Sequence, residues 1–360
     1  MIVQHCKELE RMSIPLSSDA LLPLNHRRGP CSPFPSSATA SMPSTADVLR
    51  RNRLRADSIR QRLNGTAGAN KRGDATVPTT LGSSLDTLEY VVTVGLGTPA
   101  VTQTLLMDTG SDLSWVQCRP CPAATCHPQQ DKLFDPARSA TYSAFRCGSA
   151  ACRGLGGDLD GNGCSRRGRC LYAVRYGDGS NSTGTYGADK LTLTPAHAVD
   201  GFRFGCSHAA SLFSDRADGL LGLGGGPPSL VSQAAARAFS YCLPPTASYY
   251  GFLRLGAPPR AASSRFAVTP MYRSGSADPF YLVRLRGIAV GGRRVRVPPS
   301  AFRAGAVMDS GTVVTRLPPK AYRALRAASR KQGNRKPSTQ SSTLLKKTLT
   351  PLICKASPGA

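Results

Sequence analysis

Two short stretches of this chain set a carboxylate among hydroxyls and a glycine. They are Asp108-Thr109-Gly110-Ser111 and, 201 positions later, Asp309-Ser310-Gly311-Thr312. Each follows a methionine and an apolar run, Leu105-Leu106-Met107 in the first and Ala306-Val307-Met308 in the second. An apolar run that stops at Asp-x-Gly reads as a strand delivering one carboxylate into a tight turn. Its glycine allows the positive φ that such a turn calls for, and the flanking hydroxyls can bond the carboxylate. One such tetrapeptide is an ordinary turn; two in matching strands point to a pair of carboxylates. A pair sharing one proton does both halves of a hydrolysis, one carboxylate accepting a proton from water while the other donates to a carbonyl oxygen. Like charges in contact do not both ionise easily, so their two titrations move apart.

The elements that must position the pair repeat as well. Tyr90-Val91-Val92-Thr93-Val94 alternates as a strand ahead of Asp108, and Tyr281-Leu282-Val283-Arg284-Leu285 alternates ahead of Asp309. A duplicated half that offers one Asp each time implies two lobes with a cleft between them. With 36 Gly, 28 Pro and few long stretches of helical period, the chain reads as mainly β with many turns. Val94-Gly95-Leu96-Gly97-Thr98-Pro99 is not a dinucleotide loop, since a strand and not a helix follows. Val174-Arg175-Tyr176 running into Gly177-Asp178-Gly179 reads as a hairpin. Asp218-Gly219-Leu220-Leu221-Gly222 reads as a buried apolar segment, and Trp115, the one tryptophan, as a core residue.

The net charge of +25 is uneven, because residues 246–360 hold 21 of the 46 basic side chains and two of the 21 acidic ones. A basic surface attracts nucleic acid or anionic membrane nonspecifically. Without aromatic-interleaved basic motifs, no specific nucleic-acid partner is expected, and the expectation is that balancing acidic sequence lies elsewhere. No apolar run reaches the length of a membrane span. Nine of the twelve cysteines fall between Cys118 and Cys242, a density that reads as a disulfide framework made in an oxidising compartment. Cys118, Cys121, Cys126 and His127 raise a zinc reading, but no second knuckle at regular spacing follows; no metal and no cofactor is expected. Cys31 and Cys354 are expected outside the framework, with Cys242 the one lacking a partner. The secretory pathway, the cell exterior or the vacuole follows from the cysteines. Residues 1–24 show no signal-peptide apolar region, so either the biological start lies elsewhere or the chain enters its compartment by another route, a chloroplast location being the alternative.

These motifs resemble the pepsin-like aspartic proteases over about Tyr90 to Tyr322, and the Cys-rich insert at 118–170 resembles the plant nepenthesin-like branch. The resemblance implies a mainly β, bilobal pepsin-like aspartic protease fold and an aspartic endopeptidase acting on protein or peptide substrates, as a monomer. Asp108 and Asp309 would be the dyad, supported by Thr109, Gly110, Ser111, Ser310, Gly311 and Thr312. Tyr176, Gly177 and Asp178 would form the flap over the substrate, with Trp115 as the cleft-side partner of Tyr176. Residues 1–87 would be a leader or propeptide, with one basic helix over Asp47 to Leu63 whose cations fill the cleft; a solvated leader without contacts is the alternative. The lobes would span 88–245 and 246–331, followed by an atypical basic tail at 332–360. Because nothing after Asp309 repeats the Leu220-Leu221-Gly222 segment, the second lobe is expected to be incomplete and the chain truncated. Such a chain is expected to be poorly stable or weakly active. The alternative to an enzyme is a non-catalytic isoform, or an inhibitor or binding protein, on the same scaffold.

Overall fold

The computed structural model describes residues 2–4, 49–50, 53, 55, 76–81, 89–155, 163–211, 213, 215–236, 238–243, 251–256, 268–272, 279–333 and 353–355. Within these, strands dominate. The first lobe is built from β1 (Tyr90–Leu96), β2 (Val101–Asp108), β3 (Trp115–Gln117), β4 (Cys170–Arg175), β5 (Asn181–Thr194), β6 (His197–Ser211), β7 (Gly219–Gly222), β8 (Phe239–Cys242) and β9 (Gly251–Leu255). β1 and β2 pair antiparallel, from Val91 opposite Leu106 to Leu96 opposite Val101. Gly97, at φ +87°, turns the hairpin between them.

The apolar run of β2 is buried on both faces, which is why it reads as continuous rather than alternating. Leu105 and Met107 enter a core with Val92, Val94, Phe204, Leu221 and Leu223. Leu106 enters a second core with Trp115, Tyr172, Tyr186 and Leu220. Parallel pairing sets β7 beside β2, with Leu221 opposite Met107 and Gly222 opposite Asp108. The two glycines that end β7 have a steric reason. A Cβ on Gly219 would strike the Trp115 carbonyl, and one on Gly222 the Asp112 carbonyl, so this strand crosses close over the chain that leaves Asp108.

The second lobe contributes β10 (Leu282–Val283), β11 (Ala289–Val290), β12 (Arg293–Arg294), β13 (Ala306–Val307) and helix α1 (Pro319–Gly333). β13 delivers Asp309 and pairs with β10, Leu282 opposite Val307 and Val283 opposite Ala306. Among the described residues β13 has no strand on its other side, and Ala306, Val307 and Met308 stay half-buried where their first-lobe counterparts are buried. Tyr281 ties the lobes together: it joins the first-lobe core and its hydroxyl donates to the Leu223 carbonyl at 2.7 Å.

Four disulfides brace the insert and its neighbours: Cys118–Cys206, Cys121–Cys126, Cys147–Cys164 and Cys152–Cys170. Cys118, Cys121 and Cys126 are therefore bonded to sulfur and unavailable to zinc. The expectation for Cys242 is corrected: it too is disulfide-bonded. Cys31 lies outside the described residues.

Asp218, the residue before β7, is fully buried. It accepts from Thr104 N at 2.5 Å and from Asp131 N at 2.9 Å. Burial, with a side-chain hydrogen bond to Asp131, pushes its pKa from an ordinary 3.8 to about 8, so at neutral pH it is a neutral acid. A carboxyl whose folded pKa is raised binds more protons folded than unfolded, so stability falls as pH rises from about 4 to 8, by at most about 1.4 kcal/mol per unit. Asp218→Asn, which keeps a neutral side chain at all pH values, should flatten that slope. Urea unfolding at intervals from pH 5 to 8 checks it, and parallel slopes in the two proteins would count against a buried neutral acid.

Candidate active site

The two Asp-x-Gly turns meet face to face and hold each other through four hydrogen bonds. Thr109 N donates to Ser310 Oγ at 3.0 Å, and Ser310 N returns the bond to Thr109 Oγ1 at 2.9 Å. Thr109 Oγ1 donates to the Met308 carbonyl at 3.0 Å, and Ser310 Oγ to the Met107 carbonyl at 2.7 Å. Each hydroxyl thus serves as donor and acceptor at once, which Ser and Thr can do and a purely apolar residue cannot. Thr109 is fully buried and Ser310 nearly so, so each bond lies where an unmade partner is costly.

This junction aims both carboxylates into one place. Asp108 accepts from Ser111 Oγ at 2.6 Å and Gly110 N at 2.9 Å. Asp309 accepts from Thr312 Oγ1 at 2.5 Å and Gly311 N at 3.1 Å. The glycines are needed for a reason other than positive φ, which neither shows. A Cβ on Gly110 would stand 2.7 Å from Asp309 Oδ1, and one on Gly311 2.7 Å from Asp108 Oδ1. Glycine here lets each turn approach the opposite carboxylate.

A guanidinium fills the space between them. Arg55 Nη2 lies 2.6 Å from Asp108 Oδ1 and 3.0 Å from Asp309 Oδ1, while its Nε lies 2.9 Å from Asp309 Oδ2. The two hydrogen bonds to Asp309 make a fork-like pair. The side chains are 14%, 2% and 4% exposed for Arg55, Asp108 and Asp309, so this is a nearly dry triad. Of the basic stretch at 47–63, the described residues Leu49, Arg50, Arg53 and Arg55 are helical. The second lobe touches it again where Arg316 Nη2 donates to the Leu49 carbonyl at 3.2 Å.

The electrostatics differ between the carboxyls. Burial pushes Asp108 up; the Arg55 charge opposes this and that of Asp309 adds to it. Burial would raise Asp309 too, but there the charge and hydrogen bonds of Arg55, with those from Thr312 and Gly311, win and hold it below the ordinary value. Glu89 nearby is raised to about 8, by burial first, with the Arg55 charge opposing.

The β4–β5 hairpin carries Tyr176 near enough to the site for the charges of Asp108 and Arg55 to act on its hydroxyl. Tyr176 N donates to the Ser180 carbonyl at 2.8 Å, and Gly179, at φ +94°, makes the turn. Asp178 accepts from Ser180 N at 3.0 Å and Ser180 Oγ at 2.6 Å, so it shapes the tip, with Gly177 half-buried beside it. Trp115 is both a core residue and a partner of the hairpin, its Nε1 donating to the Tyr176 hydroxyl at 2.7 Å. Phe213 packs on the Trp115 ring at 5.1 Å and the Tyr176 ring at 6.1 Å. Sequence reading anticipated cations in the cleft but did not single out Arg55, one of several arginines in its stretch, and no sequence signal marked Phe213.

Comparison with known proteins is consistent along the chain. Residues 90–257 match the family model described as xylanase inhibitor N-terminal, and residues 280–347 its C-terminal counterpart. An aspartyl protease family protein of Arabidopsis thaliana is 39% identical over 90% of this chain and 69% of its own length. Aspartic proteinase nepenthesin-1 of Nepenthes gracilis is 34% identical over 66% of this chain and 55% of its own length. The chain thus spans between about half and two thirds of the curated relatives it matches. The crystal structure of basic 7S globulin from soybean superposes with a TM-score of 0.55 at 20% identity, covering 72% of this chain and 70% of that one, a likeness of fold.

The reciprocal bonds between the turns should dominate local stability. Thr109→Val and Ser310→Ala each leave buried partners unpaired and should cost about 2–3 kcal/mol. The double variant should cost less than the sum, since both remove one network. Denaturant unfolding of the four proteins measures this, and strict additivity would show that the turns are not coupled.

Proposed function

The chain belongs to the pepsin-like aspartic protease family, and from that premise we propose that it is an aspartic endopeptidase held latent by its own leader. The reading rests on one observation: a single nitrogen of Arg55 touches both Asp108 and Asp309. A place where one polar atom reaches both carboxylates is where a water would be activated. With the guanidinium withdrawn, that water loses a proton to one carboxylate as it attacks the peptide carbonyl, and the other carboxylate donates to the carbonyl oxygen. Thr109 and Ser310 hold the geometry, Ser111 and Thr312 orient the carboxylates, and Tyr176 closes over the substrate. In this reading residues 1–87 are the propeptide, the first lobe runs from 88 through β9, past the expected boundary at 245, and the second lobe follows to 331. The substrate is an extended segment of protein entering as a strand. The paired cysteines fit an oxidising compartment, secretory or vacuolar.

Latency in this reading depends on pH. A carboxylate whose folded pKa is depressed contributes stability above its ordinary range, and loses it as pH falls through the depressed value. The Arg55–Asp309 pair therefore holds the leader at neutral pH and releases it in acid, below the ordinary carboxylate range near 4.

A second reading, a binding or inhibitory protein on the same scaffold, draws on the lack of a strand beyond β13 among the described residues. An error of about 1 Å in placing one carboxylate costs on the order of 100-fold in rate. One assay separates the two. The full chain, expressed with its disulfides formed, is brought from pH 7 to pH 3 with an unstructured protein substrate, beside Asp108→Ala. Cleavage that appears on acidification and vanishes in Asp108→Ala is expected; its absence at every pH, with intact folding, assigns the chain to the second reading. Arg55→Gln should move the onset of cleavage to higher pH, and an unchanged onset would remove Arg55 from the latency mechanism.

A further inference from the structure

A cavity of about 780 Å³ opens on the first lobe, and neither dyad residue nor Tyr176 lines it. One wall is the segment from Arg119 to Cys121, pinned by the Cys118–Cys206 and Cys121–Cys126 disulfides. His208 on β6 braces that wall, its Nδ1 donating to the Pro120 carbonyl at 3.1 Å while Nε2 meets Thr185 Oγ1 at 3.3 Å. Leu133, Pro136 and the ring of Tyr142 give the lining its apolar part. That ring is itself fixed, packed edge-on at 6.3 Å from Phe134 and 6.2 Å from Phe204.

The polar groups at this cavity favour an anion. Arg119 and Arg169 are both exposed, and among the described residues neither guanidinium makes an ion pair or hydrogen bond. The Tyr142 hydroxyl also has no hydrogen-bond partner among the described residues. Burial pushes its pKa to about 12, with the Arg169 charge opposing and the Asp189 charge adding, so it stands as a neutral donor. One carboxylate lines the cavity, that of Asp135, and it is engaged as the cap of the turn that follows, accepting from Ala137 N at 3.1 Å. Two guanidiniums and a phenol beside an apolar wall make the usual composition of a small-molecule site: mostly apolar, with a few polar groups that fix orientation, in a volume of several hundred Å³.

We propose that this cavity binds a small organic monocarboxylate with an apolar body. Its head sits between Arg119 and Arg169, where guanidinium forks match carboxylate geometry, and its body lies against Leu133, Pro136 and Tyr142. The site is independent of the dyad, so it stands whether or not the chain cleaves peptides.

The test uses three probes with one apolar body and different heads: 3-phenylpropanoate, 3-phenylpropan-1-ol and 3-phenylpropylamine. Binding to the oxidised full chain at pH 7 is followed by saturation-transfer NMR and titration calorimetry. The acid should bind at least about tenfold more tightly than the alcohol, and the amine should not bind, as charge-assisted hydrogen bonds require. Arg119→Gln with Arg169→Gln, both at exposed positions, should reduce acid binding to the level of the alcohol. Ala137→Trp, which fills the cavity, should abolish binding of acid and alcohol alike. Equal binding of all three probes, no binding of the acid, or acid binding unchanged in the double arginine variant would each overturn the proposal. Circular dichroism confirms that the variants fold.

Discussion

The structure depends on one constraint: two hydroxyl side chains, Thr109 and Ser310, must each donate and accept across the boundary between the lobes. Neither turn satisfies its own buried amide, so neither can relax without stranding polar groups in the other. A buried, reciprocally satisfied network has few alternative arrangements. That fixes the carboxylates more tightly than packing alone would, because apolar contacts tolerate shifts that a hydrogen bond does not. The glycines follow from the same constraint, since any side chain at Gly110 or Gly311 would push into the facing carboxylate. Even the glycines of β7 answer to it, by letting that strand lie across the chain that leaves Asp108.

Two carboxylates pressed together and dried are unfavourable unless something resolves their charge. In this chain Arg55 does so from outside the lobes. A buried ion pair seldom stabilises a fold relative to apolar packing, but removing one partner from it is costly. In the proposed reading the junction acts as a switch, held while both signs are present and released when protons replace the guanidinium. Asp108 and Asp309 divide the roles unequally, because two hydrogen bonds from Arg55 fall on Asp309 and one on Asp108.

Much of this was legible in the sequence because the signals were local and doubled. An apolar run ending in Asp-x-Gly, seen twice, carried the fold class and the turn residues. The Tyr176 hairpin and the disulfide-rich insert were likewise written in turn and cysteine chemistry. What escaped was relational. The reason for Gly110 and Gly311 lies across the cleft, 200 residues away in sequence, where no local rule about φ reaches. Arg55 is one of several arginines in its stretch, and only the folded contact separates it from Arg50 or Arg53. Phe213 supports Trp115 and Tyr176 from a segment with no periodic pattern. Cys242 was expected to lack a partner because that partner was placed in sequence beyond the second lobe, whereas Cys242 is disulfide-bonded.

The central claim is that Asp108 and Asp309 form a single coupled acid pair whose protons Arg55 controls. Carbon-13 NMR of the aspartate carboxyls, titrated from pH 7 to pH 2 in the native chain and in Arg55→Gln, tests it directly. The account predicts that in the native chain one of the two titrates above the ordinary aspartate range and the other below it. Loss of the guanidinium should move the lower one upward. Two independent titrations near the ordinary value, unchanged by the loss of Arg55, would contradict it.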